Sequence, residues 1–205
     1  MEEHKEERRG DHKEARRDDR RVRRTRAQLR KALAELLQEK SADVLSVTEL
    51  TSRADVNRGT FYCHYKDIYD MLDQLEAETL EEFSALMDSY PAVRLREGLR
   101  PILEDVFLFI QRNLDLAASA MNLWGRSSFL ERLKALLRDK VARDWSDLYH
   151  FSGDVQREHC LNFLVGGIIG LVQSWLEGGG RETPQEMAAL AEALILHGIQ
   201  PFGIQ

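Results

Sequence analysis

Two cysteines in 205 residues, Cys63 and Cys160, are too few to build a disulfide framework and fit a reduced compartment. Proline is equally sparse: Pro91, Pro101, Pro184 and Pro201 all lie at the starts, ends or links of apolar-periodic stretches, so none interrupts a helical pattern. No stretch alternates apolar and polar residues as a half-buried strand would. The longest nearly unbroken apolar run, Phe163 to Val172, includes three glycines and is half of the ~20 residues a bilayer-spanning helix needs, so no membrane association is expected. Met1 to Arg26 lacks the apolar segment of a secretory signal, which leads us to expect a cytoplasmic protein. There is no phosphate-binding glycine loop, no nucleophile elbow and no HExxH pair. His159 and Cys160, as neighbours, point about 100° apart on a helix and are poorly placed to chelate together. An enzyme is therefore not expected, and neither a metal nor a cofactor is implied.

What is present is charge of opposite sign at the two ends. Residues 1–66 carry 17 Lys/Arg against 13 Asp/Glu, a net of +4, which leaves −10 for the rest of a chain whose total is −6. A basic N-terminal segment beside an acidic body points to one end meeting nucleic acid. The remaining pattern is helical throughout and predicts an all-α fold of about nine helices. Residues 1–22 are charged enough to form a disordered arm. Leu29, Leu33, Leu36 and Leu37 then fall on one face of a first helix, from about Arg23 to Lys40.

The next helix start is written in detail: Ser46 can cap it and Glu49 can complete a capping box. Asp55-Val56-Asn57 supplies residues that tolerate a left-handed turn, and Asn57 can cap a further helix, 58–65. Asp67 can cap a long linking helix that Tyr90-Pro91 ends. Further helices are expected at about 101–113, up to Trp124, and at 128–149, 154–177 and 184–197. Two short helices joined by a tight turn, with a longer helix on each side and arginines ahead, have the layout of a DNA-binding helix-turn-helix over 23–66, with 67–90 as the linking helix.

The stretch Val47 to Asp67, above all Gly59-Thr60-Phe61-Tyr62, His64-Tyr65 and Lys66-Asp67, resembles the N-terminal domain of the tetracycline repressor (TetR) family. The likeness spans roughly residues 23–85. It implies that 58–65 is the recognition helix entering the major groove. There Arg58, at the helix N-terminus beside Gly59, can bond a guanine in bidentate fashion, and Thr60 and Tyr62 can reach a base or a phosphate. Thr48, His64, Tyr65 and Lys66 suit phosphate oxygens, while Phe61 should pack inward with Leu50 and Val56. Arg24, together with Arg20, Arg21, Arg23 and Arg26, can contact phosphate or reach the minor groove. Two positions depart from the family: Thr51 stands where a small residue is usual, and Asp55 where the turn usually has glycine.

Residues 91–205 would form an effector-binding and dimerisation domain, and the stretch from Phe163 to Leu176 is similar to the last helices of one TetR subgroup. In that family the last two long helices form the dimer, which here implicates Leu164, Gly166, Ile168, Gly170, Leu171 and Trp175, with Leu190 and Leu194 from the final helix. The resemblance also implies a small molecule bound inside the domain, for which Phe107, Phe109, Gln111, Met121, Trp124, Trp145 and Tyr149 are candidate lining residues. The function expected is a homodimeric transcriptional regulator of double-stranded DNA, a repressor released from a palindromic operator by an effector. The alternative is a TetR-like coactivator or interaction protein that works through a protein partner.

Overall fold

The computed structural model describes residues 3–91, 97–113, 128–146 and 152–198, with side chains described for 20–91, 97–113, 129–143 and 152–198. Among the described residues the fold is all helical: α1 (Glu3–Glu39), a 3-10 turn (Ala42–Val44), α2 (Val47–Arg53), α3 (Arg58–Tyr62), α4 (Ile68–Asp88), α5 (Arg100–Arg112), α6 (Ser128–Ser146), α7 (Asp154–Glu177) and α8 (Pro184–His197). The short helix expected before Trp124 lies outside the described residues. The chain divides within α4 into two compact units, 1–74 and 75–205.

The first helix differs from expectation in starting at Glu3, so residues 3–22 continue it instead of forming a disordered arm. That stretch contains no proline and only one β-branched residue, and it is rich in Arg and Glu, both strong helix formers. Its opposite charges recur at helical spacing, as in Glu14–Arg17, Asp18–Arg21 and Asp19–Arg23, which favours helix without any apolar core. Once the chain reaches Leu29 the helix becomes amphipathic, and Leu29, Leu33, Leu36 and Leu37 are all buried.

These leucines form the floor of the first unit, with Leu50, Ala54, Phe61, Tyr65, Ile68 and Met71 packed into the same core. Each short helix has its own start signal. The Ser46 hydroxyl accepts the Glu49 amide at 3.2 Å, and the Asn57 side-chain Oδ1 accepts the Gly59 amide at 2.7 Å. The capping box expected at Glu49 is only half made, because the Glu49 carboxylate bonds the Lys40 ammonium instead. Asp67 caps α4 as expected, its carboxylate accepting the Asp70 amide at 2.8 Å.

Between α2 and α3 the backbone turns through Asp55, whose φ of +52° is the only positive value at a non-glycine residue among those described. The left-handed conformation costs an L-residue about 1–2 kcal/mol, and Asp tolerates it better than most. Asp55→Gly is therefore expected to leave stability unchanged or raise it by up to about 1 kcal/mol, while Asp55→Val lowers it by about as much. Urea midpoints of the two variants would check this, and equal midpoints would show that the turn stores no strain. Thr51, the other departure, is buried, and its hydroxyl donates to the Val47 carbonyl at 2.8 Å, so the extra polar group is satisfied within α2.

A bidentate ion pair clamps α1 to α2: Arg53 donates to both carboxylate oxygens of Glu39, at 2.9 and 3.1 Å. The hydrogen bond from Arg53 holds the Glu39 carboxyl below its ordinary 4.5. Because the folded value is the lower one, the clamp stabilises fully above the unfolded value and loses its contribution as pH falls through the folded value. Thermal unfolding of Glu39→Gln should thus differ from wild type at neutral pH and converge with it in acid, and the neutral difference should shrink in high salt. A gap unchanged in acid would show that the clamp is not what Glu39 contributes.

In the second unit α5 and α8 pack together, and Phe83, Met87, Leu99, Leu103, Val106, Phe107, Trp175, Met187 and Ala191 form one buried cluster. Phe107 meets Trp175 edge to face at 5.4 Å between ring centroids, a favoured aromatic geometry. The Trp175 indole N–H donates to the Glu182 carbonyl at 3.1 Å. Helix α8 starts with the expected capping box: Thr183 accepts the Glu186 amide at 3.2 Å and its own amide donates back to the Glu186 carboxylate at 2.7 Å.

Helix α7 is more apolar over its whole length than its longest uninterrupted run suggests. It is long and apolar enough to cross a membrane by length and composition alone, a test that core helices also meet, and here Trp175, Ile168, Leu171 and Leu176 belong to or pack on the core cluster of the second unit. The run Phe163 to Val172 understated it because Gly, Asn, Gln and Ser interrupt the apolar residues without adding charge.

Candidate functional site

The exposed side of the first unit is built on α3. Phe61 and Tyr65, four residues apart and so on one helical face, are both buried; Arg58 and Tyr62, also four apart, are both exposed. Tyr62 is 52% exposed although its ring edge rests on Phe61, with centroids 5.4 Å apart. The aromatic core thus acts as a platform that holds Tyr62 and Arg58 outward. Gly59 lies on the same exposed side. A Cβ there would come within 3.2 Å of the Asn57 cap oxygen, so Gly59 also makes room for the cap that starts the helix.

Thr48, Arg24 and Lys66 are exposed, and Thr60 and His64 are half-buried. The Lys66 amide is occupied by the Asp70 carboxylate at 2.9 Å, a hydrogen bond that holds Asp70 below its usual range and leaves the Lys66 side chain as the group available to a phosphate. Tyr65 requires a correction. It is 2% exposed, its hydroxyl accepts from Arg26 at 3.2 Å, and the guanidinium lies 5.8 Å from its ring centroid. Tyr65 is a core residue that positions Arg26, not an exposed phosphate ligand. The helix is also shorter than 58–65, ending at Tyr62, although the Tyr65 amide still reaches the Phe61 carbonyl at 2.9 Å.

In the second unit the expected dimer stripe splits into two faces. Leu164, Ile168, Leu171 and Trp175 follow helical spacing and turn inward: Trp175 is buried, Ile168 and Leu171 pack on the core cluster, and Leu164 and Ile168 line a cavity. Gly166 and Gly170 are exposed and open, with nothing within 4 Å of a Cβ built on either. The reason is angular: Gly166 lies about 200° around the helix from Leu164, so the two cannot share a face. The outward face instead carries Val155, Asn162, Phe163, Gly166, Gly167, Gly170 and Ser174. Phe163, at 78% exposure, was not singled out from the sequence, although its spacing with Gly166, Gly167 and Gly170 marks that face. Leu190 and Leu194 on α8 are half-buried.

Among the described residues a cavity lies away from Phe107, Phe109 and Gln111, the expected lining residues whose side chains are described. It measures about 90 Å³ and is lined by Met87, Leu99, Ile102, Leu103, Val106, Leu137, Lys140, Val141, Leu164, Val165, Ile168 and Ile195. Phe107 is in the solid core against Trp175, Phe109 packs beside Phe83, and Gln111 is exposed. The side chain of Trp145 and the whole of Met121, Trp124 and Tyr149 lie outside the described residues. Lys140, absent from the expected set, was legible as a charge placed three and seven residues after Leu137 and Leu133, within an apolar stripe.

Two family models match this chain: residues 29–75 match the bacterial regulatory proteins of the tetR family, and residues 97–197 match a transcriptional regulator C-terminal region. The chain belongs to the TetR family. Solved structures of regulators share its fold. FadR from Bacillus subtilis, in complex with stearoyl-CoA, superposes with a TM-score of 0.64 at 20% identity, covering 84% of this chain and 98% of that one. SmeT, the repressor of the Stenotrophomonas maltophilia multidrug efflux pump SmeDEF, gives 0.61 at 14%, covering 83% and 88%. The dihydroxyacetone kinase operon activator DhaS gives 0.60 at 17%, covering 86% and 97%. No curated protein matches the chain by sequence. This TetR-family regulator therefore shares a fold with these three at identities that carry no further detail.

Proposed function

We propose that this TetR-family chain is a cytoplasmic, non-enzymatic repressor that binds a palindromic operator as a homodimer and is released by a small-molecule effector held in its second unit. The observation that carries the reading is the two-sided α3, with Phe61 and Tyr65 buried and Arg58 and Tyr62 held outward four residues apart. Arg58 is suited to a guanine edge, Thr60 and Tyr62 to a base or phosphate, and Thr48, Lys66 and Arg24 to phosphates. The dimer is assigned to the outward face of α7 around Phe163, Gly166 and Gly170, with α8 beside it. Open glycines let a second backbone approach closely, and a solvent-facing phenylalanine gains by being covered. Two readers about 34 to 36 Å apart then match a palindrome. Effector occupancy would change their separation.

Similarity to FadR, solved with stearoyl-CoA, supports a ligand inside the second unit, and SmeT, described as a repressor, supports the direction of control. DhaS, described as an operon activator, favours a second reading in which the chain activates or acts through a protein partner. Selection of bound fragments from a random DNA pool by the purified full chain, with affinity followed against salt, separates them. A palindromic site with a steep salt slope supports the operator reading. No enriched site at low salt moves the weight to a protein partner.

A further inference from the structure

Helix α1 runs without a break from Glu3 to Glu39, yet the leucines that bury it in the first unit begin only at Leu29. At about 100° per residue, the charges ahead of Leu29 sort by face. Arg9, Lys13, Arg16, Arg17, Arg20 and Arg24 fall within about 100° of one another, whereas Glu7, Asp11, Glu14 and Asp18 gather within about 60° on the other side. The acidic side continues the register of the buried Leu29 and Leu36, so the basic stripe takes the positions opposite the core face. Arg20 and Arg24, whose side chains are described, are both exposed. Arg20 has Arg16, Arg17, Arg23 and Arg24 at its three- and four-residue positions and no acid among them. Like charges at that spacing weaken a helix, and a polyanion laid along them relieves the repulsion. The stripe also ends close to the reader: Arg26 donates to the hydroxyl of Tyr65, the residue before Lys66, at 3.2 Å.

We infer that the N-terminal half of α1 is a second DNA-contact element, a helix laid with its basic stripe along the phosphate backbone beside the groove that α3 reads. From Arg9 to Arg24 the helix rises about 22 Å, which passes about six phosphates of one strand at ~3.4 Å each. Phosphates are alike at every base pair, so these contacts add affinity and salt dependence without sequence preference. The acidic side fixes the orientation, because only the stripe can face a polyanion. This deepens the DNA-binding reading above and rests on it, but it adds a contact that α3 does not make.

The test uses the full-length chain and exchanges neighbours across the two faces. Lys13→Glu, Glu14→Lys, Arg17→Asp and Asp18→Arg, made together, keep composition and net charge but move two cations off the stripe. Helix content by circular dichroism should stay the same. Affinity for operator and scrambled duplexes alike should fall about tenfold or more at low salt, and the salt slope should drop by about two. Arg20→Gln with Arg24→Gln, at exposed positions, should lower the slope by the same amount and guards against a rearranged chain that fails to fold. Duplex affinity and slope unchanged by the exchange would overturn the proposal, because a basic segment acting through charge alone would not register it. An assembly of the DNA-free chain that the exchange dissolves, with duplex binding intact, would also overturn it and give the stripe to the acidic side of a second copy. Failure to enrich any operator, with scrambled duplex still bound through the stripe, would remove α3 as the reader and leave this element standing. No duplex bound by the wild-type chain at low salt would remove both.

Discussion

Replacing Arg58 and Tyr62 together by alanine should lower affinity for the selected operator by about a hundredfold or more and leave the fold intact. A bidentate arginine–guanine contact discriminates by about 1–3 kcal/mol, and a tyrosine contact on the next turn adds to it. Both side chains are exposed, so their truncation should move thermal stability by no more than about 0.5 kcal/mol. Lys66→Ala is the contrasting variant: loss of a phosphate contact weakens binding to all sequences alike and reduces the salt slope by about one. Fluorescence anisotropy with specific and scrambled duplexes at several salt concentrations distinguishes these cases. Operator affinity unchanged in the double variant would sink the assignment of α3 as the reader.

On the proposed dimer, Phe163→Asp should weaken association at least a hundredfold while the monomer stays folded. Its ring is 78% exposed, so the monomer loses little, whereas a dimer would bury an uncompensated charge. Gly170→Leu should act in the same direction for a different reason. A Cβ there meets nothing in the monomer, and replacing glycine within a helix favours that helix by about 1 kcal/mol, so the variant would stabilise the isolated chain while blocking backbone approach. Trp175→Ala is the control for the inward face: it should cost about 3–5 kcal/mol of stability by opening a cavity in the core. Sedimentation velocity over a concentration series, paired with chemical denaturation, reads both quantities. A Phe163→Asp chain that remains dimeric would move the interface off this face, and operator affinity should fall with the dimer if the palindrome reading holds.

The DNA-reading unit was legible because its signals are local. Ser46, Asn57 and Asp67 each cap the helix that follows them within three residues, and the strained position at Asp55 stands in the turn where a glycine is usual. The burial of Tyr65 was legible from spacing once Phe61 is turned inward, and the phosphate expectation drawn from the resemblance overrode it. Tyr65 stands four residues after the inward Phe61 and so on its face, where Arg26, 39 positions earlier, meets it. The N-terminal segment was misjudged for another reason: charge density argued for disorder, while the spacing of opposite charges argued for helix.

The second unit was harder because its features depend on distant residues. The apolar content of α7 announced a buried or covered helix, but the direction of each face depends on where α5 and α8 lie. The angular relation between Leu164 and Gly166 was already in the numbering; which of the two turns inward was not. Lys140 stands within an apolar stripe in the sequence, but its burial depends on how distant helices pack.

The sequence by itself determined the all-helical class, most helix boundaries, the family and the outward Arg58–Tyr62 pair, because caps, spacing and turn residues act over a few positions. Only the tertiary structure decided that Tyr65 meets Arg26, that α7 turns its leucines in and its glycines out, and that Lys140 is buried beside Asp88. Those outcomes are set by packing between segments far apart in the chain, where burial of apolar area selects the inward face and strands a charged group only where a counter-charge is within reach.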